Sequence, residues 1–340
     1  MSEQNKEYFL SINEMADLLG MTEQGVHQLI KRNNLPTEKI GSQRYLSPLT
    51  VREILESRGA TYQQKIISFQ SQTGGVGKTT AAYYLALRAS MYGARVLLVD
   101  LDEGGALTNA FQVLDPDIPV FSDVLKGKIK IEKAIIPISD HIGLLGSHYE
   151  NYELPHLLAD TQELKQENVI TKHLKPLLDK FDLIIVDCAT SLLTEVNKTV
   201  ALASDMVIVP ANPDKFSIMA LKIMMKEIPQ LQKMRQMPFE LKILVNKYDA
   251  RNKLSFLTLT HLASEYKDYI FPLFIRKNDD LQNIAGSKKA FFDFKNIPAH
   301  EDFDLLTKLI LDFPDLKSEL KSEVKRASAN TSSAQPSVNY

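Results

Sequence analysis

The sequence predicts an α/β fold: a mostly parallel sheet flanked by helices, with a small helical module in front of it. Three observations carry this. Seven apolar runs ("KIISF", "ARVLLVDLD", "HIGLLGS", "FDLIIVD", "DMVIVPA", "ELKILVNK" and "YIFPLF") alternate with helical patterns between residues 65 and about 316, the order that builds a parallel sheet. Most of these runs lack polar alternation, as strands buried on both faces do. A glycine-rich turn, "TGGVGKTT" at 73–80, joins the first run to a helical pattern.

Composition bounds the rest. The chain of 340 residues is 44% hydrophobic and 24% charged, with a net charge of −2. That allows a sizeable buried core and shows no overall basic excess, so a nucleic acid would have to be held by a local patch. Cys188 is the only cysteine, which excludes an intrachain disulfide and suits a reducing cytosol. The histidines are scattered without metal-ligand spacing. "MSEQNKEYFL" lacks the basic start and apolar run of a signal peptide, and no stretch is long and apolar enough for a membrane span. The expectation is a cytoplasmic protein with no membrane partner. Three zones are expected: a small module over 1–62, an α/β domain over 63–317, and a Ser/Ala/Asn-rich tail over 318–340 expected to be disordered.

The module is read from its caps. Ser11 and Glu14 form an S-x-x-E capping box, and Ile12, Met15, Ala16 and Leu19 give the helix one apolar face. Gly20 ends it and Thr22 caps a second helix, with Val26, Leu29 and Ile30 inward. Glu23, Gln24, His27, Gln28, Lys31 and Arg32 are left on the outer side. Gly41-Ser42 turns a small hairpin carrying Lys39 and Arg44, and Ser47-Pro48 opens a third helix. Over roughly the first 58 residues this resembles the winged helix-turn-helix modules of MerR-like regulators. The resemblance implies that helix 22–32 enters the major groove while the hairpin touches phosphates. Basic and acidic residues are equal in number over 1–65, so only Lys31, Arg32, Lys39 and Arg44 are locally basic. A small helical docking domain is the alternative.

The stretch "QSQTGGVGKTT" (70–80) fits a phosphate-binding loop at all but one point. Gly77, Lys78 and Thr79 stand where G-x-x-x-x-G-K-[ST] needs them, whereas Gln72 takes the place of the leading glycine. Strand, loop and helix follow in order. The glycines let backbone N–H groups turn inward around phosphate oxygens, and helix 78–91 adds its positive end. Lys78 is placed to reach the β- and γ-phosphates and the Thr79 hydroxyl to ligate Mg²⁺. The expected nucleotide set is Gly74, Gly75, Val76, Gly77, Lys78, Thr79, Thr80 and Asn246.

In order and spacing, "TGGVGKTT", "VLLVDLDEGGALT" and "FDLIIVDCATSLL" resemble the deviant Walker motifs of the ParA/MinD-type partition ATPases, over about residues 65–300. The N-terminal module is similar to the DNA-binding domain of the larger plasmid-partition members. The resemblance implies a P-loop NTPase that hydrolyses ATP with Mg²⁺. Within its D-x-D match, Asp100 and Asp102, the second carboxylate would position the attacking water, and Asp187 would hold Mg²⁺ through water. With Lys78, these are the expected catalytic residues. It further implies a nucleotide-driven homodimer on DNA, a ParB-like centromere-binding partner that stimulates hydrolysis, autorepression, and association with the nucleoid. Cys188 is read as a packing residue.

One position departs from the family. Where Thr73 stands, the family has a lysine that crosses the dimer interface to the other subunit's phosphates. A short uncharged hydroxyl cannot do that, so binding is expected to survive and hydrolysis to be slow. Compensation by Lys247 or Arg251, or a variant that traps the bound state, both remain open. "VNKYDARNKLS" resembles the family's base-binding edge and makes Asn246 a base-contact candidate. Asn246, Lys247 and Asp249 also spell N-K-x-D, which in GTPases reads guanine, so GTP stays open beside ATP. "FIRKNDDLQNIAGSKKAFFDF" resembles a basic family segment, making Arg276, Lys277, Lys288 and Lys289 candidate DNA contacts. A nucleotide-regulated repressor with little hydrolysis is the alternative function.

Overall fold

The computed structural model describes residues 9–159, 169–190, 194–234, 239–278, 281 and 298–312. The expected tail over 318–340 lies outside the described residues, as do Lys288 and Lys289. The N-terminal part runs β1 (Leu10–Ser11), α1 (Ile12–Leu19), α2 (Glu23–Arg32), β2 (Glu38–Ile40), β3 (Gln43–Leu46) and α3 (Pro48–Ser57). Its helices start and stop where the caps are. Ser11 Oγ accepts from Glu14 N at 3.2 Å while Glu14 Oε2 accepts from Ser11 N at 3.0 Å. Gly20 ends α1 at φ 60, Thr22 Oγ1 accepts from Gly25 N, and Pro48 stands in the first turn of α3. The hairpin pairs Lys39 directly with Arg44, and β1, absent from the sequence expectation, adds a third strand through Leu10 and Leu46.

The larger part continues β4 (Lys65–Phe69), α4 (Lys78–Met91), β5 (Val96–Asp100), α5 (Ala106–Ala110), α6 (Phe121–Leu125), α7 (Ile131–Ala134), β6 (Ile135–Ser139) and β7 (Ile142–Leu145). Then come α8 (Leu154–Ala159), α9 (Val169–Leu174), β8 (Leu183–Asp187), α10 (Glu195–Ala203), β9 (Met206–Ala211) and α11 (Lys215–Met234). It closes with β10 (Glu240–Tyr248), α12 (Lys253–Glu265), β11 (Ile270–Arg276) and α13 (Pro298–Leu311). The strands lie in the order β11-β10-β9-β4-β8-β5-β7-β6. All pairings are parallel except β6 on β7.

All seven expected runs form strands. The eighth, "IIPIS", was not anticipated: Pro137 weakens the pattern, and proline in a sheet belongs on an edge, where a missing N–H costs no ladder bond. Its residues are half-buried or exposed, whereas β5, β8 and β9 are buried throughout.

Helix α4 sits at the middle of the molecule. Almost every residue from Ala81 to Met91 is buried, so no face reads as polar, the signature of a helix covered all round. Apolar residues of α1, α3 and β3 join those of α4, the sheet and α13 in one continuous core. Leu18, off the apolar stripe of α1 expected from sequence, is buried too, because α1 is flanked by α4 as well as α2. At the far end of α4, Gly93 (φ +82) permits the approach of α3: a Cβ there would lie 2.8 Å from the Arg52 backbone nitrogen. Arg52 then donates to the Gly93 carbonyl at 3.0 Å and to Asp182, while Tyr62 donates to the Tyr92 carbonyl at 2.7 Å.

Arg88 of α4 ties these layers together. It pairs with Glu14 of α1 and with Asp304 of α13, each at 2.7 Å, and Tyr92 also donates to Asp304. Burial opposes ionisation of Asp304, but Arg88 and Lys308 outweigh it and hold the carboxyl down at about 2. A depressed carboxylate stabilises the fold above the unfolded value near 4, and that stabilisation is lost as pH falls from about 4 toward 2. Arg88→Met should therefore cost about 3–5 kcal/mol at pH 7, because Glu14 and Asp304 lose the buried cation they share and only Lys308 and Tyr92 still meet Asp304. Its carboxyl then rises toward the unfolded value, so the variant should lose less stability than the parent between pH 5 and 3. Denaturant titration at the two pH values checks this; equal losses would show that the pair does not carry the acid sensitivity.

Candidate nucleotide-binding site

The carboxyl ends of the central strands converge, as parallel α/β sheets require of a ligand site. Phe69 pairs with Asp187 and Asp187 with Asp100 in register, so the loop after β4 opens beside two carboxylates on adjacent strands. The loop's turns fall on glycine, with φ +71 at Gly75 and +89 at Gly77. At Gly77 the side is closed as well: a Cβ would stand 2.2 Å from Asn246 Nδ2. Gly74, Gly75 and the half-buried Thr79 and Thr80 leave the loop accessible, whereas Val76 packs inward. Gln72 and Thr73 replace a glycine lead-in with a hydroxyl turn: Ser71 Oγ accepts from Thr73 N at 3.0 Å and donates to Thr73 O at 3.1 Å.

Lys78 is buried, and its ammonium donates to Thr190 Oγ1 at 2.6 Å. Thr190 was not anticipated; its only signal is its place just past the strand that ends in Asp187. Both oxygens of Asp187 are buried without a hydrogen-bond partner. Burial pushes this carboxyl well up, the Asp100 charge adds to the push, and the nearby Thr79 hydroxyl and Lys78 ammonium offset part of it. A carboxylate left bare in this way fits a divalent cation. With the Thr79 hydroxyl it forms the hard-oxygen set that suits Mg²⁺, a cation that keeps several of its waters.

The two carboxylates of D-x-D separate in role. Asp100 is fully buried; its Oδ2 accepts from Thr108 N and Oγ1 at 2.9 and 2.7 Å, and its Oδ1 from Asp102 N at 3.1 Å. It pins the start of α5 and the turn that carries Asp102. Asp102 is half-exposed, with Oδ1 accepting from Gly104 N at 2.9 Å, and it alone of the pair reaches solvent. Cys188 is buried and its thiol is pushed up by burial, so it offers no thiolate.

At the end of β10, Asn246 Nδ2 donates to the Val76 carbonyl at 2.7 Å and Lys247 Nζ to the Gly75 carbonyl at 2.7 Å. Lys247 adopts φ 54, which for a non-glycine residue costs on the order of 1 kcal/mol. The carboxylate of N-K-x-D is engaged: Asp249 accepts from Arg251 N, Nε and Nη2, each at 3.0 Å. Of the two cations considered as substitutes at position 73, Lys247 therefore touches the loop and Arg251 is committed to Asp249.

The basic candidates divide. Lys31, Arg32, Lys39 and Arg44 are exposed, and a groove between α2 and the hairpin is lined by His27, Lys31, Asn34, Thr37 and Arg44. Arg276 corrects the expectation of a surface cation. Its guanidinium meets Asp302 at 3.0 Å, Glu301 at 2.8 Å and the Pro298 carbonyl at 2.5 Å, so it anchors α13 to β11. Lys277 is exposed next to it, donating its backbone N–H to Tyr248.

A sheet of this order with a glycine loop, a buried lysine and a bare strand-end carboxylate defines a P-loop nucleotide-binding domain. The "AAA domain" family model matches residues 64–243, and the chain belongs to that family. Its fold is of the kind found in P-loop ATPases of the ParA/MinD type. An uncharacterized protein of Methanocaldococcus jannaschii is 29% identical over 263 residues, covering 73% of this chain and 98% of that one. The chromosome-partitioning ATPase Soj of Treponema pallidum is 28% identical over 225 residues, 63% of this chain and 83% of its own. Among solved structures, a Cyanothece McdA variant in complex with ATP superposes with TM-score 0.64 at 20% identity, covering 74% and 98% of the two chains. The Pyrococcus furiosus cell division ATPase MinD gives TM-score 0.58 at 26% identity, covering 73% and 98%. No helix among the described residues is long and apolar enough to cross a membrane.

Asp187→Asn separates fold from function. An acid whose folded pKa is raised loses stability as pH rises from about 4 through the folded value. Replacing this ionisable group should raise the nucleotide-free chain's stability at neutral pH by on the order of 1–2 kcal/mol, and a metal-holding role for Asp187 predicts that any Mg²⁺-dependent phosphate release is lost with it. Thermal unfolding read beside phosphate release checks both; a destabilised variant would mean that the carboxylate is compensated within the fold.

Proposed function

We propose that this chain is an ATP-dependent DNA partition protein, in which nucleotide binding builds a homodimer that engages DNA and hydrolysis resets it. The observation that carries the reading is the bare Asp187 carboxylate beside Lys78 and the glycine loop. The naming of a similar protein as a chromosome-partitioning ATPase supports it. In this reading Gly74 to Thr80 surround the phosphates with backbone N–H groups, and Lys78 leaves Thr190 to pair with the β- and γ-phosphates. Bound Mg²⁺ would neutralise charge on the transferring phosphoryl group. Asp187 and the Thr79 hydroxyl would hold that ion, and Asp102 would orient the attacking water.

The DNA part rests on the first 62 residues, proposed to act as a winged helix-turn-helix module. α2 presents His27, Gln28, Lys31 and Arg32 outward. The hairpin sets Lys39 opposite Arg44, a like-charge pairing that is unfavourable until an anion meets it. These two ends of one groove fit a phosphate backbone beside a helix in the major groove. Operator binding by this module would make the protein an autorepressor, and a ParB-like centromere-binding protein is the proposed stimulating partner on the nucleoid. Lys277 is retained as a nonspecific DNA contact; Arg276 is not.

Phosphate release from the purified chain with ATP, Mg²⁺ and DNA tests the enzyme. Lys78→Ala should lose ATP binding and DNA-stimulated turnover together, and unchanged nucleotide affinity would overturn the loop assignment. In the same assay Thr73→Lys should raise turnover, since a second-subunit cation on transferring phosphate is worth ~10³–10⁵ in rate. No rise would show that position 73 is not where this protein lacks its cation.

For the DNA module, Lys31→Ala with Arg32→Ala should weaken operator binding and lower the slope of log K against log salt by about 1–2. An unaltered slope would place the outer face of α2 away from phosphate.

A further inference from the structure

Asn246 and Lys247 make contacts that a base-reading role does not explain. Each donates to a loop carbonyl: Asn246 to Val76 and Lys247 to Gly75, both at 2.7 Å, with Asn212 Nδ2 donating to Gly75 at 3.5 Å. The two residues are fixed for this. Asn246 is buried, and its Oδ1 accepts from the Lys247 backbone N–H at 2.9 Å, bridging a residue held at φ 54. Gly77, against whose α-carbon the amide lies, has no room for a side chain.

We infer that the end of β10 is a brace for the phosphate loop, with Asn246 and Lys247 as positioning residues that set the direction of two of its peptide groups. The argument is geometric. In a trans peptide the C=O and the following N–H point to opposite sides of the chain, and no peptide among the described residues is cis. Holding the Gly75 carbonyl toward β10 turns the Val76 N–H the other way, and holding the Val76 carbonyl does the same for the Gly77 N–H. Glycine-rich backbone would otherwise let these peptides flip, because φ on either side of zero is open to Gly75 and Gly77. A cradle of N–H groups binds an anion only while those groups point together. The brace thus recognises nothing itself; it keeps the polyphosphate end of any nucleotide preferred over water, and its ligand class is the pyrophosphate group rather than the base.

This rests on the nucleotide-binding reading, and the test separates the two. Calorimetry of the full chain with Mg²⁺ would compare pyrophosphate, ATP and GTP for the parent, Asn246→Ala and Lys247→Met. A brace predicts that Asn246→Ala weakens pyrophosphate and ATP by the same factor, about tenfold for one lost buried hydrogen bond, and leaves the ATP-to-GTP ratio unchanged. Lys247→Met, half-buried and isosteric along its stem, should weaken pyrophosphate severalfold with the thermal midpoint kept. If Asn246→Ala binds pyrophosphate as the parent does while its ATP-to-GTP ratio changes, Asn246 reads the base and the brace is overturned. Unchanged pyrophosphate affinity in Lys247→Met removes Lys247 from it. A parent that binds neither pyrophosphate nor ATP overturns the nucleotide site itself, and the brace with it.

Discussion

Helix α4 must be buried on every side while its first turn stays open to solvent, and the rest of the molecule is arranged around that requirement. Its sequence, "KTTAAYYLALRASM", has no polar face to show to water, so sheet, α13 and the N-terminal helices all close on it. The one charge along its buried length, Arg88, is tolerated because Glu14 and Asp304 arrive from two other elements to meet it. A helix held so firmly is a fixed mount for the loop at its N-terminus. That matters where the bound group is oriented by backbone N–H direction rather than by side chains.

The carboxyl edge of the sheet works by the opposite principle, since its charges are left partly uncompensated. Register puts Asp100 and Asp187 side by side, about 5 Å apart as neighbouring parallel strands must be, and burial then raises both. Asp100 is pacified by Thr108 and the Asp102 backbone, which converts it into a structural pin for α5. Asp187 has no such set of donors, only the nearby Thr79 hydroxyl and Lys78 ammonium, so the fold disfavours its charged form until a cation relieves it. Buried charges of this kind are poor for stability and mark sites of binding.

The N-terminal part is bound to the larger one through α4. Arg52 bridges α3 to Gly93 and Asp182, and Glu14 reaches Arg88. Ile30, beneath the groove carrying Lys31 and Arg44, and the buried length of α4 therefore belong to one continuous core.

Much of this was legible in the sequence because it is local. The caps at Ser11, Thr22 and Ser47, the left-handed glycines, and the strands that end in Asp100 and Asp187 depend on neighbours within a few residues. Local rules also place the loop at 74–80 between β4 and α4. What escaped was decided by partners distant in the chain. β6 has Pro137 interrupting its short apolar run, and becomes a strand only because β7 offers it an edge. Arg276 reads as a surface cation until α13 brings Asp302 and Glu301 to it from 25 and 26 residues away. Thr190 and Lys78, 112 residues apart, meet only across the sheet. Asn246 and Lys247 could be placed near the nucleotide from their motif, but which atoms they hold depends on the crossing of β10's end over Gly75 and Val76, some 170 residues earlier. Periodicity and capping reach one turn or one strand; contacts across a sheet are set by strand order, which no local pattern encodes.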